Sequence, residues 1–272
     1  MEQYKKGIWR YVVMILPFYL FTFLPLQTFA QVGEFRKDFA VGFNGGYVMS
    51  NVDFVPKVPQ GYQEGMTAGM TVRYTCEKYF KSICAVVAEI NYAQVGWKED
   101  ILDIQDQPVP LHTDPSQMLK YSRKMDYIQI PVFARLGWGR ERKGFQAFFQ
   151  VGPQFGMFLS EKTETNFNAH DPAFDPMSPE YKYAGKRASH VMAQDTMAIE
   201  NKFEYGIAGG VGLEFSHRRV GHFMLEARYY YGLGNIYGNT KRDFFGRSNF
   251  SNIVFKFTYL FDIIRTKNSN IK

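Results

Sequence analysis

Charged side chains interrupt several of the most apolar segments of this sequence. In "FMLEARYYYGLGNI", which begins at Phe223, Glu226 and Arg228 stand two residues apart. Because alternate residues of a β-strand point to the same face, both charges would lie on one side of a sheet. Single charges occur in five further apolar segments. The full set is Arg73, Glu89, Arg135, Glu214, Glu226, Arg228 and Lys256.

This set of charges supports two kinds of chemistry. It contains four cations and three anions, so nearly every member can find a partner of opposite sign. An unpaired charge in a closed interior costs several kcal/mol even after relaxation. We therefore expect these side chains to form a structural network of salt bridges that fills the interior of the folded chain. The alternative is a path for protons or ions.

Two cysteines flank the short turn "EKYFKS". A hairpin centred on Phe80 would place Cys76 and Cys84 opposite each other on neighbouring strands. An oxidising cell envelope permits a disulfide between them, although the geometry of a cross-strand disulfide is demanding. The alternative is a pair of free thiols on the outer face of the strands.

Acidic loop residues offer the oxygen ligands that hard cations prefer. The stretch "KEDILDIQD" carries Asp100, Asp103 and Asp106, but their spacing is not that of an EF-hand loop. A second group, in a longer loop, consists of His170, Asp171 and Asp175. The remaining histidines show no metal-binding spacing such as H-E-x-x-H. We therefore expect solvated loops, with no metal site and no cofactor.

Eight segments alternate apolar and polar residues with the period of β-strands. The gaps between them alternate between long and short, and the longest runs from 161 to 202. Short turns on one side and long loops on the other are typical of an up-and-down barrel in an outer membrane. The pattern predicts an all-β, eight-stranded antiparallel transmembrane β-barrel with short periplasmic turns and long extracellular loops. The segments are 37–49, 65–76, 83–97, 121–138, 144–160, 203–216, 222–234 and 250–262.

The two faces of these segments differ in character. In segment 144–160, one face is apolar from Phe145 to Leu159, and the other is rich in glutamine and glycine. A soluble barrel that holds an apolar ligand would put the apolar face inside. The uniform bulk of the apolar face, and the mixed signs of the charges on the other, favour an apolar exterior in lipid. We also expect Pro131 and Pro153, which lack an amide donor, to mark a bulge or a strand end.

Residues 1–30 have the organisation of a secretory signal peptide. The basic residues Lys5, Lys6 and Arg10 precede an apolar run, and the small-residue motif "TFA" ends at Ala30. The alternative is a membrane anchor. We expect cleavage after this motif. The mature chain would then consist of a periplasmic segment at 31–36, the barrel at 37–262 and a periplasmic tail at 263–272.

The composition limits the binding partners. Lys and Arg total 32 against 26 Asp and Glu, and the basic residues are scattered along the chain. This mild excess gives no support to nucleic-acid binding. Aromatic residues make up 17% of the chain, and such rings are favoured in strands and at membrane interfaces. The expected surroundings are outer-membrane lipid and lipopolysaccharide.

Segments along nearly the whole mature chain resemble one family, in the same order. They include "FAVGFNGGYVMSN", "DYIQIPVFARLGW", "FFQVGPQFGMFLSEK" and "LEARYYYGLGNI". Together they resemble the PorT-like outer-membrane β-barrel family of Bacteroidota, also labelled "porin family protein". The resemblance implies an eight-stranded barrel in the outer membrane of a Gram-negative bacterium. The founding member of that family is linked to type IX secretion, which makes such a role an alternative for this chain. The resemblance implies no activity common to all members.

Function is expected outside the barrel. A plugged lumen would leave the long loops, above all 161–202 with Tyr181 and Tyr183, as the surface for binding a protein or glycan partner. One alternative is a rim enzyme acting on lipid A acyl chains, with Ser160 as nucleophile and His190 as base. No G-x-S-x-G context supports it, so we expect no enzyme. A small-solute pore is a further alternative, although eight strands leave little room for water.

Overall fold

The strands and the helix were located in a computed structural model, which describes residues 34–79, 81–102, 105–111, 115–140, 143–168, 191–238 and 244–266. A six-residue helix, α1 (Val191–Thr196), precedes the seventh strand. The strands are β1 (Glu34–Val55), β2 (Gln60–Gly61), β3 (Gln63–Tyr79), β4 (Ser82–Glu99), β5 (Tyr121–Gly139), β6 (Gly144–Thr165), β7 (Phe203–His217), β8 (Gly221–Gly232) and β9 (Arg247–Ile264).

Eight long antiparallel strands close into a barrel. From β3 to β9 each strand pairs with the next along the chain, and β1 pairs with both β3 and β9. The short strand β2 is an addition that pairs with β4. In the seam that closes the barrel, Val41 lies opposite Phe261 and Val55 lies opposite Arg247. The predicted eight-stranded up-and-down barrel is therefore confirmed, and most strands extend a few residues beyond the predicted segments.

Side chains alternate between an apolar exterior and a mostly polar interior. On the outside, Phe145 is 69% exposed and Phe257 is 51% exposed. Their sequence neighbours Gln146 and Lys256 point inward and are 5% and 2% exposed. A soluble barrel with an apolar interior would show the reverse pattern. The exterior is therefore suited to lipid, as the uniform apolar faces predicted.

The two ends of the barrel differ in their connections. One end carries the short links after β3, β5 and β7, and the other carries longer links after β4, β6 and β8. The link after β4 has some local structure, with isolated bridges between Leu102 and Pro108 and between Pro110 and Met118. None of the helices in the described ranges is long and apolar enough to cross a membrane.

The register of the β3–β4 hairpin keeps the two cysteines apart. The ladder shifts between Thr75 and Glu77, so Cys84 lies opposite Glu77 and not opposite Cys76. Both thiols are free. The bulge adds a residue to β3 at the position of Cys76, which removes the direct cross-strand placement that a disulfide would need. The disulfide considered from the sequence is therefore not formed in this structure.

The predicted domain limits fall partly outside the described residues. Residues 1–33 and 267–272 are not among them, so the signal peptide and most of the periplasmic tail stay predictions. The strand β1 already begins at Glu34, and β9 extends to Ile264. The strands of the barrel therefore reach beyond the predicted limits of 37 and 262.

Candidate functional site in the barrel lumen

A cluster of buried charges occupies the middle of the lumen. Glu89 on β4 accepts hydrogen bonds from both Nη atoms of Arg228 on β8, each at 3.0 Å. Lys256 on β9 donates to the same carboxylate at 2.7 Å. All three side chains are at most 3% exposed. One anion thus joins two cations that come from across the barrel.

Glu226 extends this central cluster beyond Arg228. Its Oε1 lies 2.5 Å from Nη2 of Arg228, and Gln150 donates to its Oε2 at 3.0 Å. The Arg228 guanidinium also lies over the Phe133 ring, 4.4 Å from its centroid, in cation–π geometry. Two carboxylates and a ring therefore hold a guanidinium that would otherwise be costly to bury.

A second cluster lies nearer the short turns. Glu214 on β7 forms one ion pair with Arg73 on β3, at 2.8 Å, and another with Arg135 on β5. The Arg135 guanidinium lies 3.8 Å from the centroid of the Phe148 ring. Nδ1 of His222 on β8 is 2.7 Å from Glu214. This carboxylate therefore links groups from three other strands.

The second cluster continues towards the end of the barrel through His222. Its Nε2 lies 3.0 Å from Asp262 on β9, and Arg265 donates to that aspartate at 2.6 Å. Ser216 Oγ lies 2.8 Å from Nδ1 of His222. Both ring nitrogens face carboxylates, Glu214 and Asp262, and this arrangement suits an imidazolium that donates from both nitrogens. Such a group is a structural cation, because it has no free lone pair to act as a base for the serine.

The lumen contains every charge singled out from the sequence, and each is at most 7% exposed. The ion pairs among these charges do not simply join residues on neighbouring strands. Arg73 and Glu89 lie on neighbouring strands, yet Arg73 pairs with Glu214 across the barrel. An eight-stranded barrel is just wide enough for side chains to fill, so long side chains meet across it. His222 and Asp262 were not expected from the sequence, although the inward alternation of β8 and β9 extends to both.

A loop segment closes the end that carries the long links. Nη1 of Arg123 on β5 donates to the backbone carbonyls of Gln194 at 2.7 Å and Met197 at 3.0 Å. It also donates to the Tyr237 hydroxyl at 3.1 Å, and Nε donates to Glu161 at 2.7 Å. Burial raises the pKa of the Tyr237 phenol, so this hydroxyl stays protonated. Arg123, which the sequence patterns did not indicate, thus ties α1 and the link after β8 to the barrel wall.

Aromatic rings pack at this closed end. The Phe54 ring lies 5.3 Å from the Trp97 ring and 4.6 Å from the Phe245 ring, measured between centroids. Tyr237 lies 5.8 Å from Phe245. The Trp97 indole donates to Oε1 of Gln194 at 2.5 Å. Each of the four rings is at most 2% exposed, so together with α1 they form an apolar seal over the lumen.

One inward carboxylate differs from the others. Glu204 on β7 is 6% exposed, and no salt bridge reaches it within the described part of the chain. Its Oε1 also has no hydrogen-bond partner there. Burial of this group as an anion would therefore be costly, in contrast to Glu89 and Glu214, which each contact two or more cations.

The other residues considered from the sequence form no site in the described ranges. Ser160 donates to Asp126 at 2.7 Å, so its hydroxyl contacts a carboxylate. Asp100 and Asp106 are described, and the described ranges hold no group of three or more His, Cys, Asp or Glu side chains that could share a metal ion. The candidates outside the described residues are Asp103, His170, Asp171, Asp175, Tyr181, Tyr183 and His190.

A small cavity lies beside the second cluster. Its volume is about 30 Å³, and its lining includes Arg73, Arg135, Glu214 and Asp262. A space of that size holds about one or two water molecules. Paired charges, a cavity this small and a sealed mouth are the features of a structural plug, and they favour it over an ion path.

Comparison with solved structures finds outer-membrane proteins at low similarity. OprG from Pseudomonas aeruginosa is 14% identical with a TM-score of 0.39, and the match covers 84% of this chain and 98% of OprG. Ail, the attachment invasion locus protein of Yersinia pestis, is 12% identical with a TM-score of 0.31, covering 82% and 99%. Neisserial surface protein A is 8% identical with a TM-score of 0.36, covering 81% and 96%. No curated protein matches this chain.

The family described as "Outer membrane protein beta-barrel domain" matches residues 29–238. This match spans well over half of the 272 residues. It includes the strands from β1 to β8, whose apolar faces point outward and which carry all the lumen charges singled out from the sequence except Lys256. These findings place the protein in the outer membrane of a Gram-negative bacterium. The chain belongs to the outer membrane protein beta-barrel domain family.

Proposed function

We propose that this outer-membrane protein is a closed, non-enzymatic barrel that serves envelope structure or surface binding through its extracellular loops. The filled lumen carries the proposal. Glu89, Arg228 and Lys256 occupy its centre at nearly complete burial, and aromatic rings seal the long-loop end. A barrel filled in this way offers no aqueous route, which leaves the long loops as the accessible functional surface.

The long-loop end is an ordered platform in the described ranges. Asn166 donates to the Met118 carbonyl at 2.8 Å and accepts from the Lys120 amide at 2.8 Å. A platform that is ordered in advance lowers the entropic cost of binding a partner. A buried apolar cluster joins the links after β4 and β6 to the barrel and consists of Ile101, Val109, Leu119, Tyr121 and Val191.

The export signal, the bacterial origin and the partners in this proposal rest on the sequence. Residues 1–30 act as a cleaved export signal in this proposal, and the resemblance to the PorT-like family supports an origin in Bacteroidota. The partners are outer-membrane lipid and lipopolysaccharide around the barrel, and a protein or glycan at the loops. An accessory role in type IX secretion is the alternative that the resemblance carries. A rim enzyme is disfavoured because Ser160 is engaged by Asp126.

Two measurements on purified full-length protein and one on native outer membranes test the proposal. In planar bilayers the protein should show no stable ion-sized conductance steps, and such steps would favour the small-solute pore. Incubation with labelled lipopolysaccharide should give no acylated or deacylated product, and a product would favour the rim enzyme.

Cross-linking in native outer membranes, followed by mass spectrometry, should identify partner contacts on the long loops. Contacts confined to the short turns would contradict the proposal.

A further inference from the structure

An open groove lies on the outer flank of the barrel, where β1, β8 and β9 meet the link that follows β1. Its volume is about 820 Å³. The outward side chains of Asn51, Tyr231 and Ser251 form its floor together with Tyr229, and residues 57–60 and Asp100 form its wall.

The register places this groove at the upper edge of the apolar belt. Tyr231 lies opposite Ser251, and Ser251 lies opposite Asn51, so these three form one polar row across three strands. The next outward row towards the short turns is Tyr229, Ile253 and Met49. This change from apolar to polar side chains marks the level of the lipid headgroups. The groove therefore faces the headgroup layer on the long-loop side.

The wall of the groove is held in place by hydrogen bonds. The Gln60 side chain accepts from the Val52 amide at 3.1 Å and donates to the carbonyls of Val52 at 2.6 Å and Val58 at 3.3 Å. The amide of Asp100 donates to the Pro59 carbonyl at 3.0 Å. The groove is thus formed in advance, as binding sites for small ligands usually are.

Several polar groups of the groove are unused. Within the described ranges the side chains of Lys57, Asp100 and Tyr231 have no hydrogen-bond or ion-pair partner. The Oδ1 atom of Asn51 is buried without a partner. Asp53, by contrast, is paired with Arg247 at 2.5 Å. The groove therefore offers a carboxylate, an ammonium and a phenol to an incoming ligand.

We propose that this groove binds the sugar headgroup of a glycolipid in the outer leaflet. The outward rings of Tyr229 and Tyr231 suit the C–H faces of a pyranose ring, and the free Asp100 carboxylate suits its hydroxyls. A phosphate is a poorer ligand, because Lys57 is the one lining cation and Asp100 would repel an anion. The inference rests on the proposed function, since it requires the long-loop end to face outward.

The test uses full-length protein in lipid nanodiscs and three probes: rough lipopolysaccharide with its core sugars, the released core oligosaccharide, and lipid A without core sugars. Calorimetry should show binding of the two probes that carry core sugars and weaker binding of lipid A, which lacks them. The substitutions Tyr231→Ala and Asp100→Asn should each weaken binding of the oligosaccharide by about tenfold or more, as expected for the loss of one stacked ring or one charged hydrogen bond. Tyr231→Ala should keep the gel mobility of the folded barrel.

Tyr92→Ala is the matched control, because Tyr92 is an outward tyrosine on β4 with 44% exposure and does not line the groove. It should bind the oligosaccharide like the wild type. Equal loss in Tyr92→Ala and Tyr231→Ala, or equal binding of lipid A and the oligosaccharide, would overturn the inference. If no oligosaccharide binds while cross-linking still finds contacts on the long loops, the inference about the groove is overturned and the proposed function stands. Conductance steps in planar bilayers would instead overturn the proposed function.

Discussion

Glu89 explains how a charged interior is compatible with a stable barrel. The carboxylate is fully buried, and it is stable because Arg228 and Lys256 reach it from two other strands. Removal of one partner from a buried ion pair is more damaging than removal of both, because the remaining charge cannot reach water. The residues of the central cluster should therefore tolerate changes in pairs better than single changes.

Replacing Arg228 with Met should destabilise the barrel by about 3–5 kcal/mol. Glu226 would keep the hydrogen bond from the Gln150 amide but no guanidinium, and Glu89 would keep Lys256 and the Asn91 amide. Reversible urea unfolding in lipid vesicles measures the free energy of unfolding. The double variant Arg228→Met with Glu226→Gln should lose less stability than the single variant. A single variant as stable as the wild type would show that the guanidinium is not needed to hold these carboxylates.

The same substitution at Glu204 and at Glu214 should change the free energy of unfolding by very different amounts. Glu204→Gln should change the free energy of unfolding by less than about 1 kcal/mol, or raise it, because it removes a buried carboxylate without a cation. Glu214→Gln should cost about 3–5 kcal/mol, because it leaves Arg73 and Arg135 buried without their anion. The two variants control for each other, since the size and shape of the side chain are kept. Equal losses would mean that Glu204 has a cationic partner.

At the residue scale, the sequence predicts the direction of a side chain better than its partner. Alternation along β8 places Glu226 and Arg228 inside, and the structure places them there. The ion pair between Arg73 and Glu214 joins residues 141 positions apart, and it depends on the diameter of the closed barrel. A single sequence carries no direct signal for that distance. Arg123 was missed for a related reason, since two of its partners are backbone carbonyls of α1 and of the segment that follows it.

At the element scale, the short helix α1 depends on the barrel wall for its position. A six-residue helix is too short to be stable alone in water. Arg123 binds the carbonyl of Gln194 within the helix and that of Met197 beyond it, and Gln194 also donates to Glu99 on β4 at 2.7 Å. The seal at the long-loop end is therefore stabilised by tertiary contacts more than by local helix propensity.

Replacing Arg123 with Gln should loosen the segment from Val191 to Met197. Loss of hydrogen bonds to two carbonyls should speed amide hydrogen exchange in this segment by about tenfold or more, which corresponds to about 1.4 kcal/mol. Exchange followed by mass spectrometry measures the effect peptide by peptide. Lys124→Gln is the matched control, because that side chain points outward and is 41% exposed. Unchanged exchange in the Arg123 variant would show that other contacts fix the helix.

Strand positions were predictable because β-patterning is strong, but local irregularities were not. Pro131 and Pro153 were expected at bulges or strand ends, and this expectation is wrong. Pro131 lies opposite Gln154 and Pro153 opposite Ile207, inside continuous strands. The β5–β6 ladder instead shifts between Asp126 and Tyr127. The β5–β6 pairing is interrupted between Pro131 and Ala134, opposite Pro153, but it resumes in the same register, so the lost donor does not cause a bulge.

At the scale of the whole molecule, the barrel has an apolar outer surface and a charged lumen, and its eight long strands form a closed ring of backbone pairing. Closure depends on the seam in which β1 pairs with β9 from Phe39 to Val55. A barrel closed by backbone hydrogen bonds should resist detergent until it is heated. On gels, unboiled protein should therefore migrate differently from boiled protein. Identical mobility before and after boiling would contradict a closed barrel.

The glycines of the seam give this prediction a sharper form. A Cβ added at Gly42 would lie 1.8 Å from the Tyr259 carbonyl oxygen on β9, whereas at Gly45 the nearest atom would be 3.8 Å away. Close approach of two backbones requires glycine at the first position and not at the second. Gly42→Ala should therefore lower the temperature at which the folded gel band disappears, and Gly45→Ala should leave it near the wild-type value. If both variants lose the folded band at the wild-type temperature, closure does not depend on the β1–β9 approach at Gly42.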